Sequence, residues 1–415
     1  MNTALKHWKE AATVILAAGV RRRIPAGDEV LMRAVSPPPL PVGSPPLWPH
    51  KSAFDYEVLL LKRSSKSGFM PNAYVFPGGL VDPSDFSADW QGVFQAFRRY
   101  PNFGLGVIRQ PPETRPPMFA TDRSKLGSPI PGEVAFRICA VRETFEEAGV
   151  LLAVPMKEEA ESAVRTGEQV PPTLTETGQL WDTQELARWR LLVMENPDNF
   201  IRMCETLRCM PNIWALHEWG NWLTPGGVYA QQRRYDTAFF ICCLPGAPET
   251  IQDEKEIVHF KWSTPSEVLH SYQARELWIA PPQFYDLSRM CRFPRLQELH
   301  SFAAARGLEG CERWLPVRLV SKDCLVSLLP GDLLYPDDPD SSEQTDIILR
   351  KEQRLEELQA EDDALHRIVF RDSHISTVLI TIAPKYKHLA PLPGPTFGTT
   401  PKPTDPTLTT RSSRL

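Results

Sequence analysis

Three carboxylates, Glu143, Glu146 and Glu147, stand with Arg142 in the stretch Ala140-Val141-Arg142-Glu143-Thr144-Phe145-Glu146-Glu147-Ala148-Gly149-Val150. On an α-helix, positions i, i+3 and i+4 share one face, so Glu143 and Glu147 stack one turn apart. Like charges this close repel, and packing gives no reason to gather them. A divalent cation reverses the sign of the interaction, and hard ions such as Mg²⁺ and Mn²⁺ take oxygen-only ligand sets. A solvated face balanced by neighbouring cations is the commoner source of such a run. Here only Arg142 and Arg137 lie nearby, while Val134, Phe136, Ile138, Val141 and Phe145 supply apolar surface. The pattern is that of a packed helix with one acidic edge, expected to hold Mg²⁺ or Mn²⁺. Gly149 lets the chain leave this helix at positive φ.

Other segments carry complementary chemistry. Lys62, Arg63 and Lys66 form a basic cluster after an apolar run. Arginine grips phosphate oxygens with two donors and lysine adds a point charge. Gly78 and Gly79, in Phe76-Pro77-Gly78-Gly79, allow a backbone to approach a pyrophosphate closely. Arg233 and Arg234 are further candidates for substrate phosphate, with a salt bridge to Asp236 as the structural alternative.

Arg142-Glu143-x-x-Glu146-Glu147-x-Gly149 resembles the core of the Nudix box, the signature of hydrolases that cleave a nucleoside diphosphate linked to another group. The glycines that open that box are matched by Gly78 and Gly79. Gly79 lies 63 residues before Arg142, so about 49 residues are inserted within the box. Val134 stands where the box has a glutamate, with Glu133 one residue out of register. The run Leu59-Leu60, Arg63-Ser64 and Phe76-Pro77-Gly78-Gly79 is similar to the coenzyme A signature of the same family. The branch it resembles is the peroxisomal coenzyme A and acyl-coenzyme A diphosphatases. This resemblance implies cleavage to adenosine 3′,5′-bisphosphate and 4′-phosphopantetheine or its acyl form. It also implies a metal held by Glu143, Glu147 and Glu146, with Arg142 orienting a neighbouring glutamate. A loop glutamate, Glu254 or Glu256, is then the candidate base.

These residues need a scaffold. Period and composition predict strands over 13–16, 56–61 and 257–262, with another entered at Arg233 and Arg234. Ser263-Thr264-Pro265-Ser266-Glu267 reads as a helix start. The expected fold is a Nudix α/β/α sandwich around a mixed sheet, spanning 1–290, with insertions over about 83–131 and 157–210. A C-terminal helical extension, 291–385, would follow, including an exposed helix over 343–366. The first insertion is expected to open with a helix over 88–100. Its Phe94, Phe97 and Phe103 would either line an acyl channel or, more simply, pack the insertion. Residues 386–415, rich in proline and threonine, read as a disordered tail.

The bulk properties narrow the class. The 415 residues are 42% hydrophobic and 23% charged, as in a soluble globular protein. A net charge of −5 excludes general nucleic-acid binding through backbone phosphates. The eight cysteines lack paired zinc spacings and suit a reducing compartment. No stretch is long and apolar enough to span a membrane. The last residues, Ser413-Arg414-Leu415, resemble the peroxisomal import tripeptide, which implies the import receptor as a partner. A mitochondrial leader within residues 1–23 is the weaker alternative. Two other functions fit the same residues: a Nudix hydrolase of capped RNA or other nucleoside diphosphate derivatives, and an inactive Nudix-fold binding protein.

Overall fold

The computed structural model describes residues 8–20, 48–156, 181–226, 234–339, 347–359, 363–371 and 374–394. Strand β1, Lys9–Gly19, lies near the middle of an eight-stranded sheet. It pairs antiparallel with β2, Tyr56–Arg63, and parallel with β8, Tyr235–Leu244. Two short strands, β3 (Tyr74–Val75) and β4 (Gly78–Leu80), add to β2 and β1 respectively. Beyond them, β7 (His217–Leu223) flanks β8, β9 (Ile257–Ser263) flanks β2, and β10 (Arg313–Trp314) closes one edge on β7. A separate pair, β5 (Ala153–Pro155) with β6 (Cys209–Pro211), ties the second insertion back to the body.

Strand alternation sorts the apolar residues onto two faces. Val14, Leu16, Leu59, Leu61, Phe240 and Cys242 point to one core. Ile15, Ala17, Val58, Leu60, Phe239, Ile241 and Cys243 point to the other. The first face is covered by the carboxylate helix, Gly132–Ala148, through Val134, Phe136, Val141 and Phe145. The second is covered by helices Pro265–Gln273, Pro281–Met290 and Leu296–Gly307. This is the expected α/β/α sandwich around a mixed sheet. Among the described residues all eight cysteines are free thiols, and no helix is long and apolar enough to cross a membrane.

The C-terminal region departs from expectation. After the helix Leu296–Gly307 it is a five-stranded sheet, not a helical extension: β11 (Val317–Ser321), β12 (Leu325–Leu328), β13 (Ile347–Arg350), β14 (His366–Arg371) and β15 (His374–Ile380). The helix expected over 343–366 is absent where described. Ile347–Arg350 pairs in parallel with β11, and Leu355–Leu358 makes one 3₁₀ turn that buries Leu355 and Leu358. Pairing with a distant strand overrides the helical propensity of its Glu and Arg residues. The helix expected over 88–100 shrinks to Trp90–Val93 and a 3₁₀ turn, Gln95–Phe97. Trp90, Val93, Phe94 and Phe97 still occupy one buried stripe, but Phe94 leaves helical geometry at φ −97°, ψ 25°.

Residues 386–394 are also ordered, against the expectation of a disordered tail. Leu392 is buried, and its carbonyl accepts from Trp48 Nε1 at 3.1 Å. Arg289 donates to the Leu389 carbonyl at 3.0 Å, and Arg292 holds that of Ala390. Distant side chains satisfy this proline-rich strap, which local composition does not reveal. Of the second insertion, the described residues hold helices Thr183–Glu195 and Asn199–Thr206; the part over 157–180 lies outside them.

Candidate active site

The carboxylate helix ends where expected, with Gly149 at φ 70° and its N–H bonded to the Phe145 carbonyl at 3.0 Å. Its acidic edge packs against β4. The Gly78 N–H donates to Glu147 Oε2 at 2.9 Å. Gly78 has φ 151°, and a Cβ there would run into the Ala12 and Thr13 backbone. A Cβ at Gly79 would meet the Glu143 carboxylate. Gly78 therefore lets β4 press onto β1, and Gly79 lets it press onto the helix.

Arg142 organises the acidic edge. Its Nε and Nη2 both reach Asp85 at 2.9 Å, while Nη1 donates to Glu143 at 2.9 Å and Glu146 at 2.7 Å. Nη2 also reaches the Leu80 carbonyl at 3.0 Å. Arg142 and Asp85 are almost wholly buried, so this two-pronged pair is strong in place and costly to break on one side. Asp85 went unnoticed in the sequence because it belongs to the insertion. Its one signal is the spacing Asp82-Pro83-Ser84-Asp85, a reciprocal cap that the structure forms. Arg190, from the second insertion, donates twice to the Glu146 carbonyl, at 3.0 and 2.8 Å, and so closes the helix's last turn.

Burial sets the electrostatics. It pushes the Glu143 carboxyl up to about 8, with Arg142 opposing and Glu146 adding to the rise. Burial, then the charge of Glu143, holds Glu147 well above the usual carboxylate range, while the Gly78 N–H pulls it down. Glu146 is raised by burial against the pull of Arg142. Three carboxylates so placed resist ionising together unless positive charge joins them. Among the described residues no group of three or more His, Cys, Asp or Glu side chains is already arranged to hold a metal ion. Mg²⁺ usually binds through one or two carboxylates, water and substrate phosphate, and a donor set of buried glutamates fits that chemistry.

Glu143, Glu146 and Arg142 line one end of a cavity of about 850 Å³, with Gly78 and Gly79 beside them and Glu147 just beneath the Gly78 backbone. Arg63 and Glu256 line the same end, 4.0 Å apart. Arg63 is braced by Ser67 Oγ at 2.9 Å and the Phe69 carbonyl at 3.0 Å. Lys62 is not on the cavity wall; its Nζ stands 5.9 Å from the Tyr74 ring centre. Glu254 is also off the wall, at φ 65° and bonded to Gln252 at 2.8 Å. Arg234 lies against Trp8 and donates to the Thr224 carbonyl at 3.0 Å, away from the cavity lining. Arg233 and Ser413-Arg414-Leu415 lie outside the described residues. Val134 is core, and Glu133 faces Arg115 at 3.4 Å instead of joining the site. Phe94, Phe97 and Phe103 pack with Trp90 and Trp214 and leave the cavity wall to others. Its lining also includes the apolar Trp222, Leu223, Phe239 and Trp278 and residues of the C-terminal sheet.

Residues 8–290 match the family model described as the NUDT19 Nudix domain, and residues 318–381 match the NUDT19 C-terminal domain. Relatives named acyl-coenzyme A diphosphatase NUDT19 are 49% identical over 401 residues in Xenopus laevis and 48% over 396 in Gallus gallus, each covering 94% of this chain and 97% of the relative. The Homo sapiens relative of that name is 42% identical over 386 residues, covering 92% and 94%. A solved NUDIX hydrolase from Alicyclobacillus acidocaldarius aligns over 71% of this chain and 96% of its own, at 19% identity and a TM-score of 0.44.

Proposed function

Because this chain belongs to the NUDT19 family of Nudix hydrolases, we propose that its buried carboxylate helix is a metal-assisted centre for cutting one phosphoanhydride bond. The protein is a hydrolase of coenzyme A and acyl-coenzyme A. Water adds to one phosphorus of the diphosphate, the bridging P–O bond breaks, and the products are adenosine 3′,5′-bisphosphate and 4′-phosphopantetheine or its acyl form. Support comes chiefly from one observation: Glu143 and Glu146 open onto the cavity while Glu147 is locked to Gly78 beneath them.

Glu143 and Glu147, with Glu146, would hold Mg²⁺ or Mn²⁺, which when bound neutralises the diphosphate and acidifies a water. Arg142 positions Glu143 and Glu146, and Asp85 keeps Arg142 from swinging into the substrate space. Arg63 supplies positive charge at the diphosphate end. Glu256, on the wall and largely solvated, is the carboxylate free of the helix and able to take the proton of the attacking water.

The test is product analysis after incubation with coenzyme A or an acyl ester and Mg²⁺ or Mn²⁺. Adenosine 3′,5′-bisphosphate that disappears on chelation is the expected result; metal-independent release of the same product would overturn the assigned centre. Location is a separate proposal. The tripeptide Ser413-Arg414-Leu415 is read as a peroxisomal address. A fluorescent protein ending in residues 395–415 should enter peroxisomes and stay diffuse without the tripeptide; a diffuse intact fusion would remove the proposal.

A further inference from the structure

Part of the cavity wall is one face of the five-stranded sheet. Arg318, Leu325, Ser327, Ile368 and Phe370 stand there. Alternation puts them there, because their neighbours Val317, Leu319, Val326, Leu328 and Val369 fill the sheet's own core on the opposite side. Arg318 is the charged residue among these five. It is half-buried, and among the described residues its guanidinium has no hydrogen-bond or ion-pair partner.

The other two cations on the wall are engaged. Arg142 is clasped by Asp85, Glu143 and Glu146. Arg63 is braced by Ser67 and Phe69 beside Glu256. Arg318 alone among the three presents uncommitted donors, and it does so from the middle of a paired strand, where β11 meets both β12 and β13. A planar guanidinium on a rigid element, facing a cavity with its donors open, suits an oxyanion. Covering it with hydrocarbon instead would strand those donors without water or partner, which costs free energy.

The substrate class has two anionic stations: the diphosphate that is cut and the phosphate on the ribose 3′ carbon. Resting on the reading that the diphosphate lies at the Glu143 end, we propose that Arg318 binds the ribose 3′-phosphate of coenzyme A. The nucleotide end of the substrate then lies against the C-terminal sheet, with Phe370 of that sheet and Trp278 elsewhere in the cavity lining offering flat apolar surface. The second sheet thereby becomes part of the substrate site, and the 3′-phosphate becomes a determinant of specificity.

The experiment compares coenzyme A with 3′-dephospho-coenzyme A in the full chain, in the Arg318→Gln variant and in Arg318→Lys, with thermal melting as a check on folding. Losing a charge-assisted hydrogen bond lowers kcat/KM for coenzyme A about 10- to 100-fold, mostly through KM. The dephospho substrate should be cleaved alike by all three proteins, and lysine should restore part of the preference. An equal loss on both substrates, no loss on either, or a loss that grows with acyl-chain length would overturn the assignment. If the unaltered protein cleaves neither compound, the proposed activity itself fails and takes this assignment with it; if it cleaves both and Arg318→Gln leaves their ratio unchanged, the assignment alone fails.

Discussion

Replacing Glu143 with Gln should stabilise the metal-free protein while disabling it. Glu143 has its carboxyl raised from 4.5 to about 8 by burial, so between these values the folded protein holds a proton that the unfolded chain releases. Stability from this group is therefore fully present below about pH 4.5 and is lost as pH rises through the window up to about 8, the direction expected when the unfolded state binds fewer protons. At 1.36 kcal/mol for each unit, the loss is just under ~1 kcal/mol near pH 5 and about 3 kcal/mol near pH 7. Glutamine resembles the protonated acid and carries no such loss. Urea denaturation in the presence of a chelator reads the difference directly. The variant should exceed the unaltered protein by just under ~1 kcal/mol near pH 5 and by about 3 kcal/mol near pH 7. Saturating Mn²⁺ should then reverse the order, because an ion that binds the folded state adds RT ln(1 + [L]/Kd) only where its ligand survives. A stability difference that does not change with pH, or equal stabilisation of both proteins by Mn²⁺, would refute the reasoning.

Glu147→Gln keeps an amide oxygen for the Gly78 N–H, so it should melt at or above the normal temperature yet turn over at least about 100-fold more slowly; steady-state kinetics with circular dichroism checks both. Asp85→Ala leaves Arg142 with an unmatched buried charge and should cost about 3–5 kcal/mol in denaturant titration, with activity falling alongside. Gly79→Ala forces a methyl into the Glu143 carboxylate, so Mn²⁺ affinity measured by calorimetry should fall while the far-ultraviolet spectrum stays unchanged. Trp48→Ala removes the partner of the Leu392 carbonyl and a buried indole, and should cost about 3–5 kcal/mol and expose the 386–394 strap to protease.

The helix proposed to carry the chemistry was legible because its information is local. The spacing of Glu143, Glu146 and Glu147 fixes their shared face, and Gly149 marks its end within the same few residues. The sandwich was legible for a similar reason, since β1 and β2 read as compact apolar runs. What escaped depends on distant partners. Asp85 becomes meaningful only when 57 residues of chain fold back to set it on Arg142. Glu254 and Glu256 look interchangeable in sequence; the positive φ at Glu254 separates them. The C-terminal sheet hides because Ile347–Arg350 is a short strand among charges, paired to β11 rather than organised by its own pattern. The 386–394 strap is held by Trp48, Arg289 and Arg292, none of them nearby in the chain.

The parallel pairing of β1 with β8 has a consequence for how the protein is made. Lys9 meets Tyr235 and Ala18 meets Leu244, so one side of the central strand waits for a partner synthesised about 226 residues later. At about 5–20 residues per second, that edge stays open for roughly 10–45 s on the ribosome. β2 waits similarly for β9, with Val58 meeting Ser263. The early hairpin of β1 and β2 therefore emerges as a two-stranded apolar ribbon, unable to close until most of the first 263 residues exist. Such long-range closure slows folding and leaves a sticky edge in the meantime. Yield in cells should depend on chaperone supply and on the pace of translation before residue 235, a constraint set by topology and independent of the chemistry that the finished fold performs.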